Sequence, residues 1–244
     1  IKFPALDEND KSNFDYPYGV GFDTNYFLEM RDMMDDIGWR ALFMNEPIER
    51  EGVVYHIDDL NRYYNLPEGE PDIVLGACDT AEGGGDSTCM PIGYIYGDNV
   101  YIEDVIFNRG LPEVVKPLLV QKLMKHKVAS ARFESNSAGG EIANDVQRLI
   151  TEKKGRTRIV KKRTTTNKQT RIIVSSDYVK EHFFFKDDSM IKTHREYNLF
   201  LKELTGYTHM AKNKHDDAPD GITQLKEYID SLRDNTVKAV KRPF

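Results

Sequence analysis

The chain has 244 residues, of which 39% are hydrophobic and 30% charged, and its mean hydropathy is −0.58. This length suits one large domain, or one medium domain with an appendage, and no apolar run approaches the roughly 20 residues of a membrane span, which excludes a membrane protein. A net charge of −6 excludes a uniformly basic nucleic-acid binder but leaves room for a local basic patch. Two cysteines, Cys78 and Cys89, are too few for a disulfide framework and favour a reducing compartment.

The first 70 residues are polar, aromatic and irregular, with one predicted helix near residues 25–37. Two prolines and a glycine within residues 66–71 indicate a loop, so we expect a linker or N-terminal extension over residues 1–70. The main domain is expected over residues 71–235 and a C-terminal tail over residues 236–244. The chain begins at Ile1 without a signal peptide or an initiator Met, which indicates a fragment or a processed product.

Residues from 72 onward alternate between predicted strands and helices. The continuous apolar run 73–78 is typical of a strand buried on both faces. Residues 90–96 and 100–107 predict a hairpin around a turn at Gly97. Further strands are expected over residues 128–133, 158–162 and 178–185, and helices from Pro112, over 142–150 and over 218–232. This order predicts an α/β fold built around a mixed β-sheet flanked by helices.

Acidic residues follow the carboxyl ends of predicted strands. Asp79 directly follows the first apolar strand, and Glu134 follows the fourth. Asp216, Asp217 and Asp220 stand at the start of the last helix. Ligand sites of open α/β sheets lie beyond the carboxyl ends of central strands, so these acids can converge in space. Converging carboxylates suit hard divalent cations, and two such cations about 4 Å apart support phosphodiester hydrolysis.

Each of these acids also has a purely structural interpretation. Asp79 can shape a turn, and Glu134 can cap the helix that follows it. Asp217 can cap the last helix, with Asp220 as the acid of a capping box. A lone exposed residue such as His215 is more often a surface or capping histidine than a metal ligand. The acids are weak indications one by one, and their joint placement favours a metal site.

A basic segment interrupts this acidic chain, with no acid from Lys153 to Ser176. The residues predicted to bind DNA are Arg158, Lys161, Lys162, Arg163, Lys168 and Arg171. Such residues contact phosphates, which position a duplex without reading its sequence. We expect the segment to form a projecting hairpin or loop against DNA, and the alternative is a solvated charged surface.

Four stretches are informative in combination. They are the apolar strand into Asp79 with the loop 81–87, Glu134 with residues 135–140, the closing motif 215–221, and residues 44–48. Together these stretches, within residues 40–235, resemble the C-terminal nuclease domain of the terminase large subunit of tailed bacteriophages or prophages. Residues 44–48 resemble the segment that links the packaging ATPase to the nuclease in this family. Gly221 stands where alanine would suit the final helix better, which is expected only to loosen that turn. The chain has no Walker A motif, and its glycine run lacks the Lys-Ser/Thr pair of a phosphate loop, so this chain alone is not expected to translocate DNA.

The resemblance implies a ribonuclease H-like fold, a two-metal site for Mg²⁺ or Mn²⁺, and endonucleolytic cutting of concatemeric viral double-stranded DNA during genome packaging, with little sequence preference. By position it implies Asp79, Glu134 and Asp217 as catalytic metal ligands, Asp220 as a further ligand and Asp86 as an auxiliary acid. The implied partners are double-stranded DNA, the terminase ATPase domain, the small terminase subunit and the portal protein, without a membrane. The implied location is the host cytoplasm during virion assembly.

Two other functions are compatible with the same residues. A structure-selective resolvase or repair nuclease of this fold would prefer a four-way junction over linear duplex. A catalytically idle DNA-binding or assembly module would use the acids only in caps and turns. Metal would not raise the thermal stability of such a module, whereas a true site gains stability with metal concentration.

Overall fold

The computed structural model describes residues 3–34, 36–45, 52–81, 86–136, 139–210, 213 and 215–238, and the side chains of 36–38 and 235–238 are left out. Sequence features at residues 46–48, 82–85, 137–138 and 239–244 lie outside the described residues. The chain divides into two compact units, Ile1–Glu51 and Gly52–Phe244. Across the described ranges, no helix has both the length and the hydrophobicity needed to cross a membrane.

The described residues of the first unit contain two short strands and two helices. Strands β1 (Asp15–Tyr16) and β2 (Val20–Gly21) pair antiparallel, and helices α1 (Thr24–Met33) and α2 (Asp36–Leu42) follow. The single helix predicted over residues 25–37 is therefore two helices, because the extended backbone of Met34 ends α1. The buried core of this unit consists of Ala5, Leu6, Phe27 and Trp39.

In the part of the chain that is described, the second unit is built on a mixed sheet of seven strands. They are β3 (Asn61–Tyr63), β4 (Ile73–Cys78), β5 (Thr88–Tyr96), β6 (Asn99–Asn108), β7 (Ser130–Glu134), β8 (Arg158–Lys162) and β9 (Phe183–Lys186). Their spatial order is β3-β9-β6-β5-β4-β7-β8, and only β5 runs antiparallel to its neighbours. Six strands therefore end at one edge of the sheet, which we call the carboxyl edge.

Helices cover both faces of this sheet. One face carries α3 (Pro112–Lys125) and α4 (Gly139–Glu152), and the other carries α5 (Lys168–His182), α7 (Arg195–Gly206) and α8 (Asp217–Lys238), while α6 (Asp188–Ile191) is one short turn. Alternation along β4 places Leu75 and Ala77 in the core under α8 and Cys78 in the opposite core. The predicted α/β fold around a mixed sheet is confirmed.

The structure corrects the predictions for the basic segment and for the strand over 178–185. Residues 153–171 are all described and form no projecting hairpin, because β8 is an edge strand parallel to β7 and a short loop then leads into α5. Asn167 starts that helix, since its side chain accepts a hydrogen bond from Thr170 N. Only the last few residues of the strand predicted over 178–185 are extended, in β9.

The second unit also includes chain that the sequence assigned to the extension. Strand β3 pairs in parallel with β9, with Asn61 opposite Phe184. The Asn61 side chain reinforces this pairing by donating to the carbonyl oxygen of Lys180 at 2.7 Å. The boundary expected at residues 70–71 therefore falls inside this unit.

Candidate metal centre

Asp79 and Glu134 lie at the carboxyl ends of neighbouring strands. Strands β4 and β7 are parallel, and Cys78 pairs with Phe133, one residue before each acid. Because side chains alternate along a strand, each acid points away from the core that contains Cys78 and Phe133. Both carboxylates therefore face the layer of the sheet that α8 covers.

Helix α8 supplies a third carboxylate. Ligand oxygens of Asp79, Glu134 and Asp220 lie within 4.8 Å of one another, and Asp220 is fully buried. Asp220 Oδ1 has no hydrogen-bond partner within the described structure, although Arg171 Nη1 lies 3.2 Å away. The Arg171 guanidinium offsets part of the cost of burying this charge, and a bound cation would offset more of it. The three residues thus fit a hard divalent cation, which prefers oxygen ligands.

A close contact between helix and sheet brings α8 to these acids. A Cβ added at Gly221 would lie 2.5 Å from Cys89 Sγ and 3.4 Å from Pro91 Cδ. Cys89 in turn exchanges two backbone hydrogen bonds of 2.9 Å with Asp79. The glycine expected to loosen this turn is therefore what allows the first turn of α8 to approach the first acid.

Helix α7 caps the N-terminus of α8. Glu203 Oε1 accepts a hydrogen bond from Ala218 N at 2.9 Å, so this orphan amide is satisfied from another helix. Asp217 Oδ2 instead accepts a hydrogen bond from Ser87 N at 2.7 Å. The capping role that the sequence allowed for Asp217 is thus taken by Glu203.

Asp217 belongs to a second group of possible ligands. Ligand atoms of Asp86, His215 and Asp217 lie within 4.8 Å of one another. The resemblance implied Asp217 as the partner of Asp79 and Glu134, whereas the structure gives that position to Asp220. The two residues share one face of α8 but differ by about 4.5 Å along its axis, so Asp217 lies beside Ser87 while Asp220 lies beside the ends of β4 and β7. The ligand set itself stays a prediction.

Burial and mutual repulsion raise the pKa values of the acids. Burial raises the pKa of Asp79 to about 7, against the opposing effect of Lys168 and with the Asp220 and Glu134 carboxylates adding to it. The pKa of Glu134 is also raised, mainly by burial and then by Asp220. Burial raises the pKa of Asp217 to about 6, against the hydrogen bond from Ser87. Ionised carboxylates are therefore unfavourable here unless a cation accompanies them.

An ammonium group of the chain already lies among these carboxylates. Lys168 Nζ is 3.0 Å from Asp216 Oδ1, 3.3 Å from Asp220 Oδ2 and 3.6 Å from Asp79 Oδ2. Burial opposes its charge, yet the neighbouring carboxylates raise the pKa of Lys168 overall. The sequence predicted Lys168 as a DNA contact, and the structure instead directs its ammonium into the acidic site.

Arg171 also departs from its predicted role as a DNA contact. Its Nε and Nη2 donate to the Glu227 carboxylate at 2.8 and 3.1 Å, and its third nitrogen faces Asp220. The residue is only 8% exposed. The structure corrects this prediction, because an internal carboxylate pair occupies the guanidinium.

The other predicted DNA contacts are exposed. Arg158, Lys161 and Lys162 lie on the edge strand β8, and Arg163 follows it directly. We call these four residues the basic edge. Ser135 N donates to Lys162 O at 3.0 Å, so the end of the basic edge lies beside the residue that follows Glu134. DNA contact by these four residues stays a prediction.

Gln224 is a residue of the site that sequence reasoning missed. Its Nε2 donates to Glu134 Oε2 at 2.7 Å and to Asp220 Oδ2 at 3.1 Å. The spacing of Asp217, Asp220 and Gln224 by three and four residues, which places side chains on one helix face, was the available signal.

Comparison with known proteins agrees with this geometry. Residues 78–181 match the protein family described as Terminase Bacteriophage T7, Ribonuclease H-like domain. The expected resemblance to terminase nucleases is confirmed. The matched family has a ribonuclease H-like domain, which agrees with the mixed sheet and flanking helices of this chain. The match and the fold together support a nuclease of the ribonuclease H-like class. Among curated proteins, no sequence matches the chain.

Solved terminase structures are similar to this chain at low sequence identity. The human cytomegalovirus terminase nuclease domain, Mn soaked and inhibitor bound, has a TM-score of 0.53 and 11% identity over 74% of this chain and 96% of that chain. The nuclease domain of the large terminase subunit gp2 of bacterial virus Sf6 has a TM-score of 0.46 and 7% identity, covering 64% and 89%. The large terminase of a thermophilic bacteriophage has a TM-score of 0.43 and 13% identity over 88% of this chain. The chain covers 52% of that protein, about half of its length.

Proposed function

We propose that this chain is a metal-dependent endodeoxyribonuclease domain of a terminase large subunit, which cuts concatemeric viral double-stranded DNA during packaging with little sequence preference. The observation that carries the proposal is the convergence of Asp79, Glu134 and Asp220, with one buried carboxylate oxygen lacking a donor. The family match over residues 78–181 supports it.

The acids hold the metal in this proposal. Asp79, Glu134 and Asp220 would bind Mg²⁺ or Mn²⁺, and the group of Asp217, Asp86 and His215 offers ligands for a second ion. When bound, such metals supply an activated water and stabilise the charge that develops at a phosphodiester. The cytomegalovirus domain that shares the fold was soaked with Mn, which supports testing that metal here.

Exposed cations flank the acids along the carboxyl edge. The basic edge ends on β8, two strands from Asp79 on β4, and Arg109 directly follows β6, two strands away on the other side. Arg109 is exposed, and its Nε donates to Ser87 Oγ at 3.4 Å. Neighbouring strands lie about 4.8 Å apart, so the ends of β8 and β6 each lie roughly 10 Å across the sheet from the strand of Asp79. We propose that DNA crosses the carboxyl edge between these flanks.

The remaining partners belong to the same proposal. On the family match alone, we propose that this chain is covalently continuous with a packaging ATPase domain and contacts the small terminase subunit and the portal protein. We also propose that it acts in the host cytoplasm. Each of these follows from the role of a terminase large subunit in packaging.

A plasmid-cutting assay tests the activity. The parental chain should convert supercoiled plasmid to nicked and linear forms with Mg²⁺ or Mn²⁺ and not with EDTA. Asp79→Ala and Glu134→Ala should cut at least about a thousandfold more slowly, because charge stabilisation by metal contributes several kcal/mol. Asp177→Ala is the matched control, since its carboxylate is exposed on α5. Parental rates in either site variant would contradict the proposed site.

Two further outcomes would identify a different function. Strong preference for a four-way junction over linear duplex in the same buffers would identify a structure-selective resolvase or repair nuclease. No metal-dependent cutting, together with no rise in melting temperature on adding metal, would identify a catalytically idle assembly module.

A further inference from the structure

Gln224 joins two acids of the candidate metal centre through one amide group. Its Nε2 donates to Glu134 Oε2 at 2.7 Å and to Asp220 Oδ2 at 3.1 Å. The residue is 2% exposed, so water does not compete for these contacts. An amide nitrogen has two N–H groups, and each carboxylate therefore receives one of them.

The backbone of Gln224 is held by the strand that carries Glu134. The Gln224 carbonyl oxygen accepts a hydrogen bond from Arg132 Nη2. Arg132 lies on β7 two residues before Glu134, so the two side chains share one face of the sheet. The Arg132 guanidinium is also placed over the Tyr228 ring, 5.4 Å from its centre. One strand thus fixes both the amide and one of the carboxylates that the amide contacts.

A neutral double donor is chemically suited to this place. A glutamate would add a fourth carboxylate to the group, and a lysine would add a charge that competes with a metal ion. An apolar side chain would remove one donor from each contacted oxygen. The amide uses one lone pair of each of these oxygens. Asn136 Nδ2 also donates to Glu134 Oε1 and Lys168 Nζ lies 3.3 Å from Asp220 Oδ2, so a cation would use the lone pairs that remain.

We infer that Gln224 is a positioning residue that orients the Glu134 and Asp220 carboxylates toward each other for divalent cation binding. The inference rests on the proposed function, because it assumes that these acids bind the metal. Outer hydrogen-bond partners of this kind orient metal ligands in proteins generally. Here a single side chain acts on two ligands from two different elements, β7 and α8.

The test is the dissociation constant of Mn²⁺, measured by calorimetry on the intact chain. Gln224→Met keeps the length of the side chain and removes both donors, and it should weaken Mn²⁺ binding by about 10- to 100-fold. Gln147→Met is the matched control: Gln147 on α4 also makes two amide contacts, with Thr157 O at 3.3 Å and Ile159 N at 2.8 Å. The control variant should bind Mn²⁺ with the parental constant.

The outcomes separate this inference from the proposed function. Parental binding of Mn²⁺ that Asp79→Ala abolishes, together with an unchanged constant in Gln224→Met, would overturn the role of Gln224 alone. Tighter binding in Gln224→Met would also overturn it, because the amide would then only offset repulsion in the metal-free protein. No Mn²⁺ binding by the parental chain would overturn both. Should Gln224→Met fail to fold in EDTA, Gln224→Asn, whose amide is one methylene shorter, is expected to show the same weakening.

Discussion

Lys168 Nζ lies 3.3 Å from Asp220 Oδ2, which places a cation of the chain beside the most deeply buried carboxylate of the candidate metal centre. The same ammonium lies 3.6 Å from Asp79 Oδ2. Lys168 is the first residue of α5, so the end of the basic segment enters the acidic site directly. The ammonium and a metal ion would therefore compete for the same oxygens.

Removal of the Lys168 ammonium should strengthen metal binding. We expect Lys168→Met to bind Mn²⁺ roughly tenfold more tightly, because the attraction of unit charges at these distances is worth a few kcal/mol and is partly screened here by solvent. The metal-free variant should melt at a lower temperature, since the carboxylates lose their counter-charge. Calorimetry and thermal melts in EDTA measure the two effects. Lys180→Met removes an ion pair with the exposed Asp177 on the same helix and should change neither the Mn²⁺ affinity nor the melting temperature. An unchanged dissociation constant for Mn²⁺ in Lys168→Met would contradict the competition between the ammonium and the metal.

Substitution of Gly221 should separate α8 from the sheet. Gly221→Ala is expected to cost about 1–3 kcal/mol in the free energy of unfolding, since the new methyl group would overlap Cys89 Sγ. Mn²⁺ should also bind more weakly, because Asp220 is the preceding residue. For Gly140 on α4, the described atoms nearest to an added Cβ lie 3.9 Å away, so Gly140→Ala should not destabilise the chain. The double variant Cys89→Ala/Gly221→Ala should recover part of the stability in a denaturant titration, and failure to do so would locate the cost elsewhere.

Charge reversal at the carboxyl edge should weaken DNA binding. We expect Lys161→Glu/Lys162→Glu to raise the dissociation constant for linear duplex and to reduce the slope of log K against log salt by about 1 for each phosphate that is no longer neutralised. Arg109→Glu should act in the same direction from the opposite flank. Lys153→Glu/Arg156→Glu imposes the same charge change before β8, at the other end of that strand. Equal weakening in this control would mean that net charge alone, and not the carboxyl edge, determines binding.

The buried carboxylate of Asp104 should make stability depend on pH. Burial opposes its ionisation, but hydrogen bonds from His126 Nε2 at 2.8 Å and from Lys122 hold the pKa of Asp104 below its ordinary value. Because the pKa is lower in the folded state, this stabilisation is complete above the unfolded value of about 4 and is lost as the pH falls below it. Asp104→Asn should therefore cost about 3 kcal/mol at pH 7.

Denaturant titrations at pH 7 and pH 3 measure this difference, and the gap between parent and variant should narrow at pH 3. Asp145→Asn is the matched control, since Asp145 also pairs with a lysine, Lys116, but is 38% exposed at the side chain. Its cost should be much smaller than that of Asp104→Asn, because solvent screens this ion pair. A gap for Asp104→Asn that is equal at both pH values would contradict the assigned pKa direction.

The sequence by itself determined the elements whose patterns are local. A continuous apolar run identified the buried strand β4, and a further strand was predicted where β7 lies. The acids that follow these strands, Asp79 and Glu134, were predictable because parallel strands finish at a common edge. The same reasoning placed further acids at the start of α8. The strand predicted over residues 178–185 was right only from Phe183 onward, since the helix that Asn167 caps continues through His182 and packs against the core.

Only the tertiary structure decided how side chains on different elements meet. Asp220, rather than Asp217, joins Asp79 and Glu134, because the contact of Gly221 with Cys89 sets the distance and rotation of α8. The side chains of Lys168 and Arg171 point toward the acidic site because α5 packs against α8. A run of basic residues in the sequence does not reveal this packing. Local sequence encodes which residues end a strand or start a helix, whereas distances between carboxylates depend on contacts between residues far apart in the chain.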